Sequence, residues 1–166
     1  MDRAYLITFH TYGTWLHGVE KGWVEPGMNV VGMEFGKRDE VRLKRDEEGL
    51  KGAPLLLNRP LRGEVDRIMR EACEHRGWKL HAINVRTNHV HLVVSARETP
   101  ERVMGALKAR TTRELRAHGL VSAERPVWSR HGSTRWLNTE ASVVAACDYV
   151  RRMQGSIAVL TRMDKV

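Results

Sequence analysis

The chain has 166 residues, 42% of them apolar, a length and composition that suit one globular domain and argue against disorder. Its 28 Lys and Arg against 20 Asp and Glu give a formal charge of +8, which favours a polyanionic partner. No apolar run approaches bilayer length, no signal-peptide pattern opens the chain, and Cys73 and Cys147 are too few for a disulfide framework, so a reduced cytoplasmic setting is expected.

Residues 3–12 alternate weakly and are rich in Tyr, Ile, Thr and Phe, as a first strand would be. Gly13, Gly18, Gly22, Pro26, Gly27, Gly32 and Gly36 then punctuate an aperiodic stretch over 13–57. Its body, about 19–57, reads as an insertion in a single domain spanning 1–166, with one short helix near 38–45. After Asn58, a plausible cap, Leu61, Val65, Ile68 and Ala72 recur at helical spacing with Met69 and Cys73 on the same stripe, and Gly77 is a natural stop. Trp78 to Arg86 follows as a strand, Thr87 and Asn88 turn the chain, and His89 to Ser95 returns antiparallel. Residues 99–118 form a second helix with Val103, Leu107 and Leu115 inward and most of the arginines outward. Pro126 to Leu137 suggests a fourth strand or hairpin, and Asn138 or Thr139 caps a last helix running to about Gln154, before Gly155. This order predicts an α+β fold: a ferredoxin-like four-stranded antiparallel sheet with helices on one face and an appended C-terminal helix carrying Tyr149. That fold serves many activities, so function must come from the site.

In Asn88-His89-Val90-His91-Leu92-Val93-Val94, strand alternation projects His89 and His91 together while Val90, Leu92 and Val94 point to the core. Two imidazoles side by side on a rigid strand make half of a metal site. The plainer alternative is a pair of surface histidines on a half-buried strand. Tyr149 is the nucleophile candidate, in a helix segment whose Ala145, Ala146 and Cys147 allow close approach to a sheet. A phenol with an ordinary pKa near 10 needs a metal, a base or a positive field, and Arg151 and Arg152 stand beside it. Taken alone, a helical tyrosine is more often a packing residue. Tyr12 is the other nucleophile candidate, and His10 and His17 could also line a site.

Between Glu101 and Trp136, eight basic residues face three acidic ones. There the run Trp128 to Trp136 interleaves aromatics with cations, a composition suited to unpaired nucleic acid. Arg130, His131 and Arg135, with Arg110 and Arg113 of the second helix, are the candidate DNA contacts. Trp128 and Trp136, of equal parity, read more simply as core residues, and a solvated basic surface remains the bland alternative.

The opening Tyr5-Leu6-Ile7-Thr8-Phe9-His10-Thr11-Tyr12-Gly13-Thr14-Trp15-Leu16-His17-Gly18, the histidine block and the Tyr149 helix together resemble the HUH-type single-tyrosine transposases, in particular their REP-associated branch. The resemblance implies a single-stranded DNA endonuclease and strand-transferase that uses Mg²⁺ or Mn²⁺ at hairpin-marked DNA, a REP-like element or a transposon end. It makes His89 and His91 metal ligands, and Tyr149 the nucleophile that leaves a 5′-phosphotyrosine and a free 3′-OH. Family members carry Gln or Asn four residues after the tyrosine; here that position is Met153. Gln154, five residues on and about 140° around a regular helix, is the expected third ligand, with water or Asp148 otherwise. The resemblance also implies a cytoplasmic, nucleoid-associated protein with no membrane partner, as a monomer or as a homodimer that exchanges tyrosines. Two competing readings are a non-catalytic nucleic-acid-binding module and a phosphoesterase using water. The latter needs a second His-x-Ser/Thr motif, which His10-Thr11-Tyr12 does not supply in that spacing.

Overall fold

The computed structural model describes residues 2–14 and 52–152. Its elements run β1 (Arg3–Thr11), α1 (Arg59–His75), β2 (Lys79–Val85), β3 (His89–Ala96), α2 (Pro100–Ala117), β4 (Trp128–Leu137) and α3 (Glu140–Arg152). The strands form one antiparallel sheet in the order β2-β3-β1-β4, the ferredoxin-like arrangement expected. The predicted short helix near 38–45, most of the insertion, His17, Met153 and Gln154 lie outside the described residues.

Local chemistry sets the helices. Asn58 Oδ1 accepts from the Leu61 amide at 3.0 Å, and Pro60 sits in the first turn of α1, where a missing N–H costs nothing. Val65, Ile68, Met69, Ala72 and Cys73 form its buried stripe, while Arg67 and Arg70 pair with Glu64, Glu71 and Asp66 on the solvent side. Gly77, with φ of 67°, turns the chain in the left-handed region. Thr99 caps α2, whose Val103, Leu107, Thr111 and Leu115 are buried. The Thr111 hydroxyl donates to the Leu107 carbonyl at 2.7 Å, which makes its burial affordable.

The helices α1 and α2 cover one face of the sheet, meeting Tyr5, Ile7 and Phe9 of β1 and Val90, Leu92 and Val94 of β3 in the main core. The opposite face meets α3 instead, through a smaller cluster of Leu6, Ala82, Val93, Leu137, Ala146, Cys147 and Val150. Thr139 is the cap of α3: its Oγ1 accepts from the Ser142 amide while Ser142 Oγ accepts from the Thr139 amide, each at 3.1 Å.

Two expectations are corrected. Residues at the end of the expected insertion belong to the core: Leu55 and Leu57 are buried, and their amides donate to the Tyr12 and Thr87 carbonyls at 2.9 and 2.7 Å. Trp136 is not a core residue; it is 41% exposed, edge-on to Tyr5 with the Arg3 guanidinium over its ring. Trp128 does pack inward, edge-on to Phe9. Both rings lie on one face of the edge strand β4; Trp128 packs against the main cluster, whereas Trp136 at the other end of the strand lies against Tyr5 and Arg3.

Candidate active site

Cross-strand pairing builds the site. On the α3 face of the sheet, β1 residue Thr8 pairs with His91, which also pairs with Asn84 of β2, and His10 pairs with His89. The chain neighbours of the histidines, Val90 and Leu92, enter the main core as alternation requires. The rings of His89 and His91 are 4.6 Å apart between centroids and nearly perpendicular, and His10 lies 5.3 Å from His89. The Tyr149 ring stands 5.6 Å from that of His91, at 78°. The expected pair and the expected nucleophile thus meet within one chain.

His91 is not the surface histidine of the plainer alternative. It is 8% exposed, because α3 closes over this face. Burial, with the neighbouring His89 and His10, pushes its pKa down to about 3. Burial beside His89 and Lys108 lowers His10 to about 4. Both rings are therefore neutral at physiological pH, the state in which imidazole binds a metal.

Hydrogen bonds orient the rings. His89 Nδ1 is 2.7 Å from Asn88 Oδ1; a carbonyl oxygen only accepts, so Nδ1 carries the hydrogen and the lone pair sits on Nε2. His91 Nδ1 is 2.7 Å from Thr8 Oγ1, a hydroxyl able to accept from it in the same sense. Asn88 is itself anchored, its carbonyl accepting from the Thr11 amide and from the Thr11 and Thr14 hydroxyls at 2.9, 3.2 and 3.1 Å. Two neutral, oriented imidazoles fit a divalent cation as part of its shell. Among the described residues no group of three His, Cys, Asp or Glu side chains is placed to hold a metal ion, so Asp148, which is exposed, does not complete this set. A hard cation needs oxygen ligands besides.

The expected activation of Tyr149 by adjacent arginines is also corrected. Arg151 points its guanidinium at the His81 carbonyl, 3.3 Å away, and burial raises the phenol pKa instead. Of the candidate DNA contacts, Arg135 pairs with Leu6 and so shares the α3 face, while Arg130 and His131 are exposed where β4 loops out opposite His10. Lys108 Nζ grips that loop through the Ser129 and His131 carbonyls at 2.9 and 3.0 Å. Arg110 and Arg113 are elsewhere: they belong to α2, across the sheet, and line a groove of about 350 Å³ with His75, Arg76 and Trp78. Thr8, Asn84 and Asn88 carry no individual signal in sequence; only the strand register could have found them.

The sequence matches the model of the family described as IS200-like transposases over residues 54–150, a span that holds His89, His91 and Tyr149. This chain belongs to that family. A crystal structure described as a transposase of Deinococcus radiodurans R1 is similar in fold, at 13% identity and a TM-score of 0.51, with 94% of each chain covered. A REP-associated tyrosine transposase bound to a REP hairpin is 10% identical with a TM-score of 0.48, covering 89% of this chain and 64% of that one. No curated protein sequence matches. Among the described residues no helix is long and apolar enough to cross a membrane.

Proposed function

We propose that this family member is a metal-dependent single-stranded DNA endonuclease and strand-transferase, with Tyr149 as nucleophile. The observation that carries the reading is the Tyr149 ring set against His91, beside a second imidazole whose lone pair is on Nε2. His89 and His91 would hold Mg²⁺ or Mn²⁺, with Gln154 and phosphate oxygens as the oxygen ligands such a cation requires. Bound there, the cation would supply Lewis-acid polarisation of the scissile phosphate and favour the phenolate.

The work of the chain is positioning. Tyr149 Oη attacks phosphorus, its proton is lost to solvent, and the P–O3′ bond breaks as the departing 3′-oxygen takes up a proton. The products are a 5′-phosphotyrosine and a free 3′-OH. One phosphoester replaces another, so the reverse attack can rejoin a strand without ATP. Arg130, His131 and Arg135, on the strand next to β1, would meet the phosphates of a single strand running over the site, whereas Arg110 and Arg113, on the far face, would touch only DNA that reaches it. The substrate expected is a hairpin followed by a single-stranded segment, REP-like or from a transposon end.

The test is a 5′-labelled and a 3′-labelled hairpin oligonucleotide incubated with Mn²⁺. A covalent protein–DNA adduct on the 5′-phosphate side is expected, lost in Tyr149→Phe and in His89→Ala. Cleavage that survives Tyr149→Phe would show that water, not tyrosine, is the nucleophile, and binding without cleavage in wild type would favour a non-catalytic module.

A further inference from the structure

We propose that Asn84 is a positioning residue that seats Tyr149 in its own chain's site, an inference that rests on the reading of Tyr149 as nucleophile. The argument begins with a bulge. Along β2, Leu80 pairs with Val94 but Ala82 pairs with Val93, leaving His81 as the extra residue. Leu80 therefore faces the main core, while Ala82 and Asn84 are turned to the α3 face. Without that residue, simple alternation from Leu80 could not give this division.

Turned this way, Asn84 Nδ2 donates to the Val150 carbonyl at 2.9 Å, across 66 residues of sequence. Val150 is the residue after Tyr149 and lies near the end of the described part of α3. The bulge supplies a second tie, the His81 carbonyl that accepts from Arg151 at 3.3 Å. Besides the Tyr149–His91 ring contact, α3 meets the sheet through an apolar cluster that includes Val143, Ala146, Cys147 and Val150. Such packing is non-directional and does little to fix the roll of the helix. A roll of about 10° carries the tip of a tyrosine side chain by roughly 1 Å, and misplacement on that scale costs about a hundredfold in rate. A directional bond one residue from Tyr149 removes that freedom. It needs a donor, because its partner is a carbonyl; Asn supplies one, and an ionised Asp of the same shape does not.

The experiment compares wild type with Asn84→Ala and Asn84→Asp, each labelled with 3-fluorotyrosine. The chain has three tyrosines, so the fluorine spectrum holds three resonances, and Tyr149→Phe identifies the one that matters. In metal-free protein both variants should move the Tyr149 resonance toward that of free fluorotyrosine, as the ring leaves the His91 imidazole. In single-turnover assays with Mn²⁺ and a hairpin oligonucleotide, adduct formation should slow by about 10–100-fold, with affinity for the oligonucleotide unchanged within about twofold. A wild-type resonance or a wild-type rate in Asn84→Ala overturns the proposal, and retention in Asn84→Asp overturns the hydrogen-bond donation on which it is argued. If wild type itself forms no adduct, the nucleophile reading fails by itself, and the fluorine resonance still decides whether Asn84 seats the ring.

Discussion

On the face covered by α1 and α2, Tyr5, Ile7, Phe9, Val90, Leu92 and Val94 are almost wholly shut from water. On the face covered by α3, one half is apolar around Leu6, Val93 and Ala146, and the other half holds Thr8, His10, Asn84, His89 and His91. The same two central strands serve both faces, so alternation along β1 and β3 separates stability from chemistry residue by residue. The polar half can exist because its rings are neutral and hydrogen-bonded, and because the mainly apolar face opposite carries the fold.

Substitutions of adjacent residues should break that comparison most sharply. His91→Ala should lower DNA cleavage by roughly a thousandfold or more while changing the melting temperature little. Leu92→Ala, one residue away and on the other face, should cost about 2–5 kcal/mol in denaturant melts, with cleavage per folded molecule retained. If the two profiles were alike, the division of labour would be wrong. Thr8→Val keeps the shape of the side chain and removes the partner of His91 Nδ1. It should weaken Mn²⁺ binding, read by calorimetry, by about 10–100-fold.

The smallest effect is on stability against acid. His91 and His10 have pKa values near 3 and 4 in the fold, against 6.5 when unfolded. Below pH 6.5 the unfolded chain takes up protons that the folded chain refuses, so stability falls as pH drops toward 4 and levels off once both states are protonated. In EDTA, the melting temperature should decline between pH 6.5 and 5, where carboxylates stay ionised. A flat profile there would mean that the two rings are more open to water than their packing implies.

Much of this was legible in sequence, and what was not has physical causes. The stripe of α1, its Asn58 cap, the His89 and His91 alternation and the order of elements all follow from local periodicity, and the structure reproduces them within a residue or two at the ends. Bulges are invisible to that reasoning. The extra residue His81 reverses the parity of β2, so the role of Asn84 could not be counted off, whereas the loop of β4 adds two residues and keeps Trp128 and Trp136 on one face, so their different exposure is not a matter of parity. Leu55 and Leu57 lack any periodic context, so local pattern alone groups them with the insertion. Only charge marks Arg110 and Arg113 as DNA contacts, and charge does not say which face of a sheet a helix will cover. The polar partners Thr8 and Asn88 depend on register and on turn geometry, neither of which a single strand declares.

Gly132 shows how far the chemistry reaches into ordinary surface. It pairs with Phe9, and a methyl group there would come within 2.6 Å of the Thr8 carbonyl oxygen and 2.5 Å of the Met104 sulfur. Thr8 cannot retreat without drawing its hydroxyl off His91. An outer-strand glycine, two strands removed from the imidazole, is thereby denied even alanine, and tolerance to substitution at this rim is dictated by an alignment it never touches.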